Sequence, residues 1–309
     1  MGEGNVLVAS VYAVLSILLA LLLAPLLEGT VRKLRAIVHS RQGPPVFQPY
    51  LDLRKLLVKE DLRVTGHWLL SVAPPLYLAS LLVATAIAPL LPGYTGGFGG
   101  DVLVFVYMVS LSAVALVLIG LVTASPFSVV GASREVMLLL VAEPVLVISL
   151  LVAAVGARSL NFQTIIHHQL VAGGGLSTAI AAIALLLALQ VQVAKLPFDM
   201  TEAESELMDG LFTEISGPQL ALCRWGMFLK QYLYPGLLIQ VFLPHVIWWV
   251  PVAILRVVLG IVLVFVLNLV AVGLVDVVNP RLRIDQAMRY VGALVVMALV
   301  ALAYAAMGA

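Results

Sequence analysis

One cysteine, Cys223, occurs in 309 residues, and that scarcity excludes a set of functions. Iron–sulfur clusters, nickel–iron centres and structural zinc sites each need several thiolates, which one thiol does not supply. The five histidines, His39, His67, His167, His168 and His245, are scattered and form no i, i+4 ligand pair within an apolar stretch. Charge is scarce as well: Asp, Glu, Lys and Arg make up 11% of the chain, against about 25% in soluble proteins. A net charge of +1 gives no reason to expect nucleic acid as a partner. The sequence also lacks a nucleophile elbow, a phosphate-binding loop, a zinc motif and a paired-aspartate prenyl-diphosphate motif, which argues against a self-sufficient enzyme. If the protein takes part in redox chemistry, another chain carries the centres.

Apolar surface, by contrast, is abundant. Hydrophobic residues make up 62% of the chain and mean hydropathy is +1.12, so in water it would expose large apolar patches and aggregate. Its solvent is lipid. A hydrocarbon core about 30 Å thick needs about 20 apolar residues per helix, and eight stretches qualify: 5–27, 69–91, 102–122, 136–155, 176–195, 226–243, 252–274 and 288–306. The pattern predicts an all-α integral membrane protein, one transmembrane domain over residues 1–309 with eight transmembrane helices. Lys230, Tyr232, Tyr234 and Pro235 interrupt the sixth stretch; such breaks are tolerated where neighbouring helices or a wet cavity satisfy the backbone. The first stretch reads as a span and not a cleaved leader, because a basic start and a small-residue cleavage site are both missing.

Lysine and arginine placement sets the expected orientation. The connection after the first span carries Arg32, Lys33, Arg35, Arg41, Arg54, Lys55, Lys59 and Arg63. The third, fifth and seventh connections add Arg134, Lys195, Arg224, Arg281 and Arg283, whereas the opposite side offers Arg158 and Arg256. Both termini are therefore expected outside, with long cytoplasmic loops after helices 1 and 5, in a multi-pass membrane protein. The first of these loops, residues 28–68, mixes leucines with charges from Tyr50 to Arg63 and suits an interfacial amphipathic helix. The second, residues 196–225, is acidic. The outer loops, among them the one holding His167 and His168, read as plain connectors.

The acids are unevenly placed. Asp199, Glu202, Glu204, Glu206, Asp209 and Glu214 fall within sixteen residues of a chain that has only sixteen acids in all. Thr201 and Glu204 have capping-box spacing, and acids in a first turn suit the helix dipole, which accounts for two or three of the six. On a helix starting near Thr201, Glu202, Glu206 and Asp209 would share one face, where like charges repel. Glu143 lies inside the fourth span beside Pro144, eight residues after Glu135. A carboxylate at a helix centre costs about 2.5–3.5 kcal/mol on insertion, so Glu143 reads as a proton relay or coupling group, the alternative being a side chain that snorkels to the cytoplasmic face. Asp276, at the end of span seven, has the same two readings. Lys230 and Arg256 are either counter-charges or snorkelling ends. A carboxylate-rich face leading to intramembrane carboxylates is equipment for moving or sensing protons.

Four blocks of this sequence resemble the H subunit of respiratory complex I, in the right order and in the right loops. They are Pro197-Phe198-Asp199 with Glu202-Ala203-Glu204, Glu206-Leu207, Gly210, Thr213-Glu214 and Ser216-Gly217; Arg41-Gln42-Gly43-Pro44-Pro45 with Gln48-Pro49-Tyr50 and Asp52-Leu53-Arg54-Lys55-Leu56; Ser133-Arg134-Glu135; and Pro280-Arg281-Leu282-Arg283-Ile284-Asp285-Gln286. Ile215 departs from the family's usual tyrosine. Only Val46 and Phe47 separate Gly-Pro-Pro from Gln-Pro, and this short connection resembles the membrane subunit of group 4 energy-converting nickel–iron hydrogenases, formate hydrogenlyase and the related sulfane reductase.

The resemblance implies a non-redox membrane subunit of an oxidoreductase complex of respiration and electron transport, without a cofactor of its own. Nickel–iron and iron–sulfur centres would sit in partner subunits: a hydrogenase-like large and small subunit and an iron–sulfur protein, beside antiporter-like membrane subunits. Arg41, Asp52, Arg54, Lys55, Arg134, Arg281, Arg283 and Asp285 would dock or orient the peripheral arm. Asp199, Glu202, Glu204, Glu206, Asp209 and Glu214 would respond to the redox site, and Glu135, Glu143 and Asp276 would pass the change to proton or sodium translocation. The other readings are a quinone-chamber subunit of complex I proper and a stand-alone secondary ion transporter.

Overall fold

The computed structural model describes residues 3–62, 66–91, 101–123, 125–201 and 204–308. Arg63 and Glu202 lie outside these, and of Glu204 only the backbone is described. The described chain is helical throughout, without strands. Its helices are α1 (Glu3–Val38), α2 (Gln48–Val58), α3 (Trp68–Ile87), α4 (Asp101–Val122), α5 (Pro126–Ala157), α6 (Phe162–Ala172), α7 (Leu176–Val193), α8 (Glu204–Leu207), α9 (Gly217–Phe242), α10 (Pro244–Trp248), α11 (Ala253–Leu267), α12 (Val275–Val278) and α13 (Ile284–Ala306). A π-helical stretch, Asn268–Leu274, joins α11 to α12 without a break.

Helix limits follow local chemistry. Prolines stand at the first turn of α2, α5 and α9, where a missing N–H costs nothing. The Asn161 side chain caps α6 by accepting from the Gln163 amide at 2.8 Å. Arg158 and Ala194 adopt left-handed backbone after α5 and α7, and the amides of Ser159 and Lys195 return to the carbonyls of Ala154 and Gln190, the wrapped closure of a Schellman end.

Seven described helices are long and apolar enough to cross a membrane: Val8–Val38, Trp68–Ile87, Asp101–Val122, Pro126–Ala157, Leu176–Val193, Ala253–Val278 and Ile284–Ala306. Helix α9 behaves differently. Its 26 residues extend about 39 Å at 1.5 Å per residue, yet it carries Arg224, Lys230, Gln231 and Gln240. It packs against α1, α3, α7 and α11, and every residue from Phe228 to Phe242 is buried. The least apolar long helix is thus the one removed from lipid, where neighbours can satisfy its polar groups.

Three sequence expectations are corrected. Residues 28–38, expected to open a loop, continue α1, so Glu28, Arg32 and Arg35 are helix residues; the amphipathic helix is the shorter Gln48–Val58. The acidic segment is not one helix. Helix α8 has four residues, and Met208, Asp209 and Gly210 then take left-handed backbone at φ 52°, 78° and 49°, so Glu206 and Asp209 do not share a helical face. Finally, the connector holding His167 and His168 is the helix α6, packed on α5 and α9.

The charged connections gather at one end of the bundle. The Leu62 amide donates to the Ser216 hydroxyl at 2.9 Å, tying the first connection to the start of α9. The Leu282 amide donates to the Pro197 carbonyl at 3.0 Å, tying the last connection to the acidic one. Gly29 holds the turn before α2 against α1, because a Cβ there would overlap the Val46 carbonyl oxygen. Gly29→Ala should push that turn away and destabilise the protein by about 1–3 kcal/mol, the usual cost of overpacking. Thermal unfolding in detergent and faster proteolysis between residues 39 and 47 would register the change; an unaltered digestion pattern would contradict it.

Candidate functional site

Two groups of polar side chains lie inside the bundle, below the charged end. The first centres on Glu28 of α1, 4% exposed. Its carboxylate receives Arg32 Nε at 3.0 Å, Lys195 Nζ at 2.9 Å and Gln231 Nε2 at 2.6 Å. Arg32 also reaches Asp52 of α2 at 2.9 Å, and Gln48 holds the other oxygen of Asp52 at 3.1 Å. A carboxylate taken from water is tolerable only with cations and donors around it, and here they come from α1 itself, from the end of α7 and from α9. Asp52, expected as a docking charge, is held by Arg32 and Gln48 while its side chain stays partly exposed. Sequence reasoning misses Glu28 because it sits one residue past the expected span; its i, i+4 spacing to Arg32 is the available signal.

The second group lines a cavity of about 30 Å³ between α4, α5, α7 and α9, room for about one or two water molecules. Glu135 and Glu143 of α5 face it, with Lys230 and Tyr234 of α9, Gln192 of α7 and Ser112 of α4. Eight residues separate the two carboxyls, about 12 Å along the helix axis. Glu135 hydrogen-bonds the Thr201 side chain and Glu143 that of Ser110. The Oε1 atom of Glu143 is buried with no hydrogen-bond partner. Lys230, 7% exposed, acts electrostatically on both carboxyls and stands 5.5 Å above the Tyr77 ring. Gly226, one turn before it, leaves room for that ring, since a Cβ there would strike Tyr77. Of the readings open for Lys230, the structure selects the counter-charge. Arg256 instead lies over Trp248 at 4.4 Å and donates to the Val250 carbonyl.

Four further acids form ion pairs with arginines of other segments. Asp199 meets Arg281 at 3.0 Å, Glu206 meets Arg134 at 2.8 Å, and Asp209 accepts from Arg224 at 3.0 and 2.9 Å. Asp276, 3% exposed, pairs with Arg35 of α1 while its Oδ1 stays unpartnered. Glu214 is half-buried, and Arg41, Arg54, Lys55, Arg283 and Asp285 are exposed. The structure therefore brings Glu135 and Glu143 together, distributes Asp199, Glu206, Asp209 and Asp276 among separate arginines, and leaves the exposed cations open to a partner. Among the described residues no group of three or more His, Cys, Asp or Glu is arranged to hold a metal ion.

Comparison with known proteins bears on this arrangement. A family model described as NADH dehydrogenase matches residues 11–306. Hydrogenase-4 component C of Escherichia coli (strain K12) is 38% identical over 240 residues, covering 76% of this chain and 75% of that protein. Formate hydrogenlyase subunit 4 of the same organism is 35% identical over 239 residues, covering 75% and 77%. The H subunit of the NADH-quinone oxidoreductase of Syntrophotalea carbinolica is 27% identical over 285 residues, covering 84% and 83%. Among solved structures, a chain of the membrane-bound sulfane sulfur reductase, an archaeal respiratory membrane complex, superposes with a TM-score of 0.84 at 21% identity, covering 96% of this chain and 99% of that one, a likeness of fold.

Removing Lys230 leaves the cavity carboxyls without their cation. Lys230→Met should lower stability at neutral pH by about 3 kcal/mol, as breaking a buried pair does, and Glu135→Gln in the same chain should recover about 1 kcal/mol. A thermal-unfolding double-mutant cycle reads the difference; strict additivity would mean the two groups do not interact.

Proposed function

The chain belongs to the NADH dehydrogenase family, that of complex I subunit 1, and on that footing we propose that it is the non-redox membrane subunit of a hydrogenase-type respiratory complex. The observation that carries the mechanism is the cavity in which Lys230 faces Glu135 and Glu143 within the bundle. The higher identity to hydrogenase-4 component C and formate hydrogenlyase subunit 4 than to the NADH-quinone oxidoreductase relative supports the hydrogenase side, as does the two-residue connection Val46-Phe47.

In this reading α9 is an eighth span, the chain is one transmembrane unit, both termini lie outside and the charged end faces the cytoplasm of a prokaryotic cell. The exposed cations Arg41, Arg54, Lys55 and Arg283, with Asp285, dock a peripheral arm of hydrogenase-like large and small subunits and an iron–sulfur protein, which hold the nickel–iron and iron–sulfur centres. The paired shell of Asp199–Arg281, Glu206–Arg134 and Asp209–Arg224, together with Glu202, Glu204 and Glu214, meets the charge change first. Two unit charges 4 Å apart interact by about 4 kcal/mol at an effective dielectric near 20. A rearrangement in the shell is therefore large enough to move a proton at Glu135, whose Thr201 partner belongs to the acidic connection. From Glu135 the proton passes by water to Glu143, whose free Oε1 is the acceptor, and Lys230 holds the excess charge. Asp276, and Glu28 at the base of α2, sense the arm's position. Antiporter-like partners then move protons or sodium.

The test is gentle purification of the tagged chain with what accompanies it. Nickel and iron should co-purify, and the preparation should make hydrogen from reduced ferredoxin or formate. A metal-free 32.9-kDa band that transports ions alone would make the chain a self-sufficient transporter and end this reading. In the intact complex, Glu143→Gln should reduce proton or sodium uptake into vesicles about tenfold or more, with the peripheral arm still bound; full uptake in that variant would remove Glu143 from the path.

A further inference from the structure

At the opposite end of the bundle lies a second and larger cavity, of about 430 Å³, between the end of α5, α6, the start of α7 and the end of α13. Arg158 and Glu135 are both on the α5 segment, and the 23 residues between them span about 35 Å, the thickness of a bilayer core. The cavity therefore sits at the other membrane face.

Its polar lining is Arg158, His168, Gln169, Ser177 and Thr178, with no carboxylate among the described residues that form it. The Gln169 side chain lines it and is 2% exposed, yet it makes no hydrogen bond among the described residues. The His168 Nδ1 atom is buried and unpartnered. Arg158 is exposed at the left-handed close of α5, and no acid pairs with it among the described residues. Helix α7, 18 residues long, starts at this cavity with Gly175 as its N-cap and no side-chain cap, so its first amides point outward with the positive end of the helix dipole. One guanidinium, one imidazole, a carboxamide and a row of helix amides, with two hydroxyls, make an acceptor-seeking concavity. The residues flanking it in the chain are apolar and exposed: Val171, Leu176, Tyr304 and Met307.

We propose that this cavity binds the phosphate group of a phospholipid, with Arg158 and the α7 amides on the phosphate oxygens, Gln169 and His168 on the glycerol or headgroup, and the acyl chains along the apolar rim. The shared chemistry is a phosphate ester. A lipid is favoured over a free anion because the cavity opens at membrane depth beside apolar side chains. The inference rests on the chain lying in a bilayer and not on the coupling role proposed above. Arg158→Asn tests it without new backbone strain, because asparagine tolerates the left-handed conformation; Gln169→Leu keeps the side chain's volume.

The experiment is native mass spectrometry and thermal-shift titration of the detergent-purified full chain with short-chain phosphatidylglycerol, short-chain phosphatidylcholine and inorganic phosphate. Phosphatidylglycerol should bind and raise the unfolding temperature. Arg158→Asn and Gln169→Leu should each weaken it about tenfold, while Arg256→Gln, a basic residue outside the cavity, should leave it unchanged. Phosphatidylcholine binding with the same dependence on Arg158 would still support the phosphate site. Equal lipid binding in wild type and Arg158→Asn would overturn the proposal. So would inorganic phosphate saturating the cavity with lipid unable to displace it.

Discussion

A carboxylate inside an apolar bundle has to be compensated on the spot, and the charged end of this protein is organised by that requirement at Glu28. Its partners are one turn away in α1 (Arg32), 167 residues away at the end of α7 (Lys195) and 203 residues away in α9 (Gln231). Because Arg32 also holds Asp52, the short surface helix α2 is fixed to the same point. Loss of both Arg32 and Lys195 would leave the carboxylate buried without a counter-charge, an effect of about 3–5 kcal/mol. The first connection is therefore fixed to the bundle through α2.

The same constraint explains why α9 is central. Its lysine and glutamines would be costly against lipid, and enclosing it lets Lys230 serve Glu135 and Glu143 and lets Gln231 serve Glu28. The carboxyls then fall into two populations. Asp199, Glu206 and Asp209, nearer the surface, each pair with an arginine of another segment. Glu135 and Glu143 below line one small cavity with Lys230.

Much of this was legible in the residues. Long apolar runs dictated membrane helices, since lipid leaves the backbone no other partner, and the four motif blocks pointed to the family that the comparisons show. The cost of a buried acid singled out Glu143. The helix limits were less legible: α1 passes its apolar run because Glu28, Arg32 and Arg35 find partners on other helices, and no local pattern announces such partners. The expected shared face of Glu206 and Asp209 failed for a related reason, since Arg134 and Arg224 claim them separately.

Composition by itself determined that the chain lives in lipid and lacks the thiolates for a redox centre, because hydropathy and ligand chemistry are properties of residues taken singly or in runs. Which charges meet was decided only by tertiary structure. Lys230 beside Glu135 and Glu143, Lys195 on Glu28, and Arg35 on Asp276 are pairings between distant segments, set by how helices pack. In a medium that penalises every unpaired charge, that packing turns isolated acids and bases into sites.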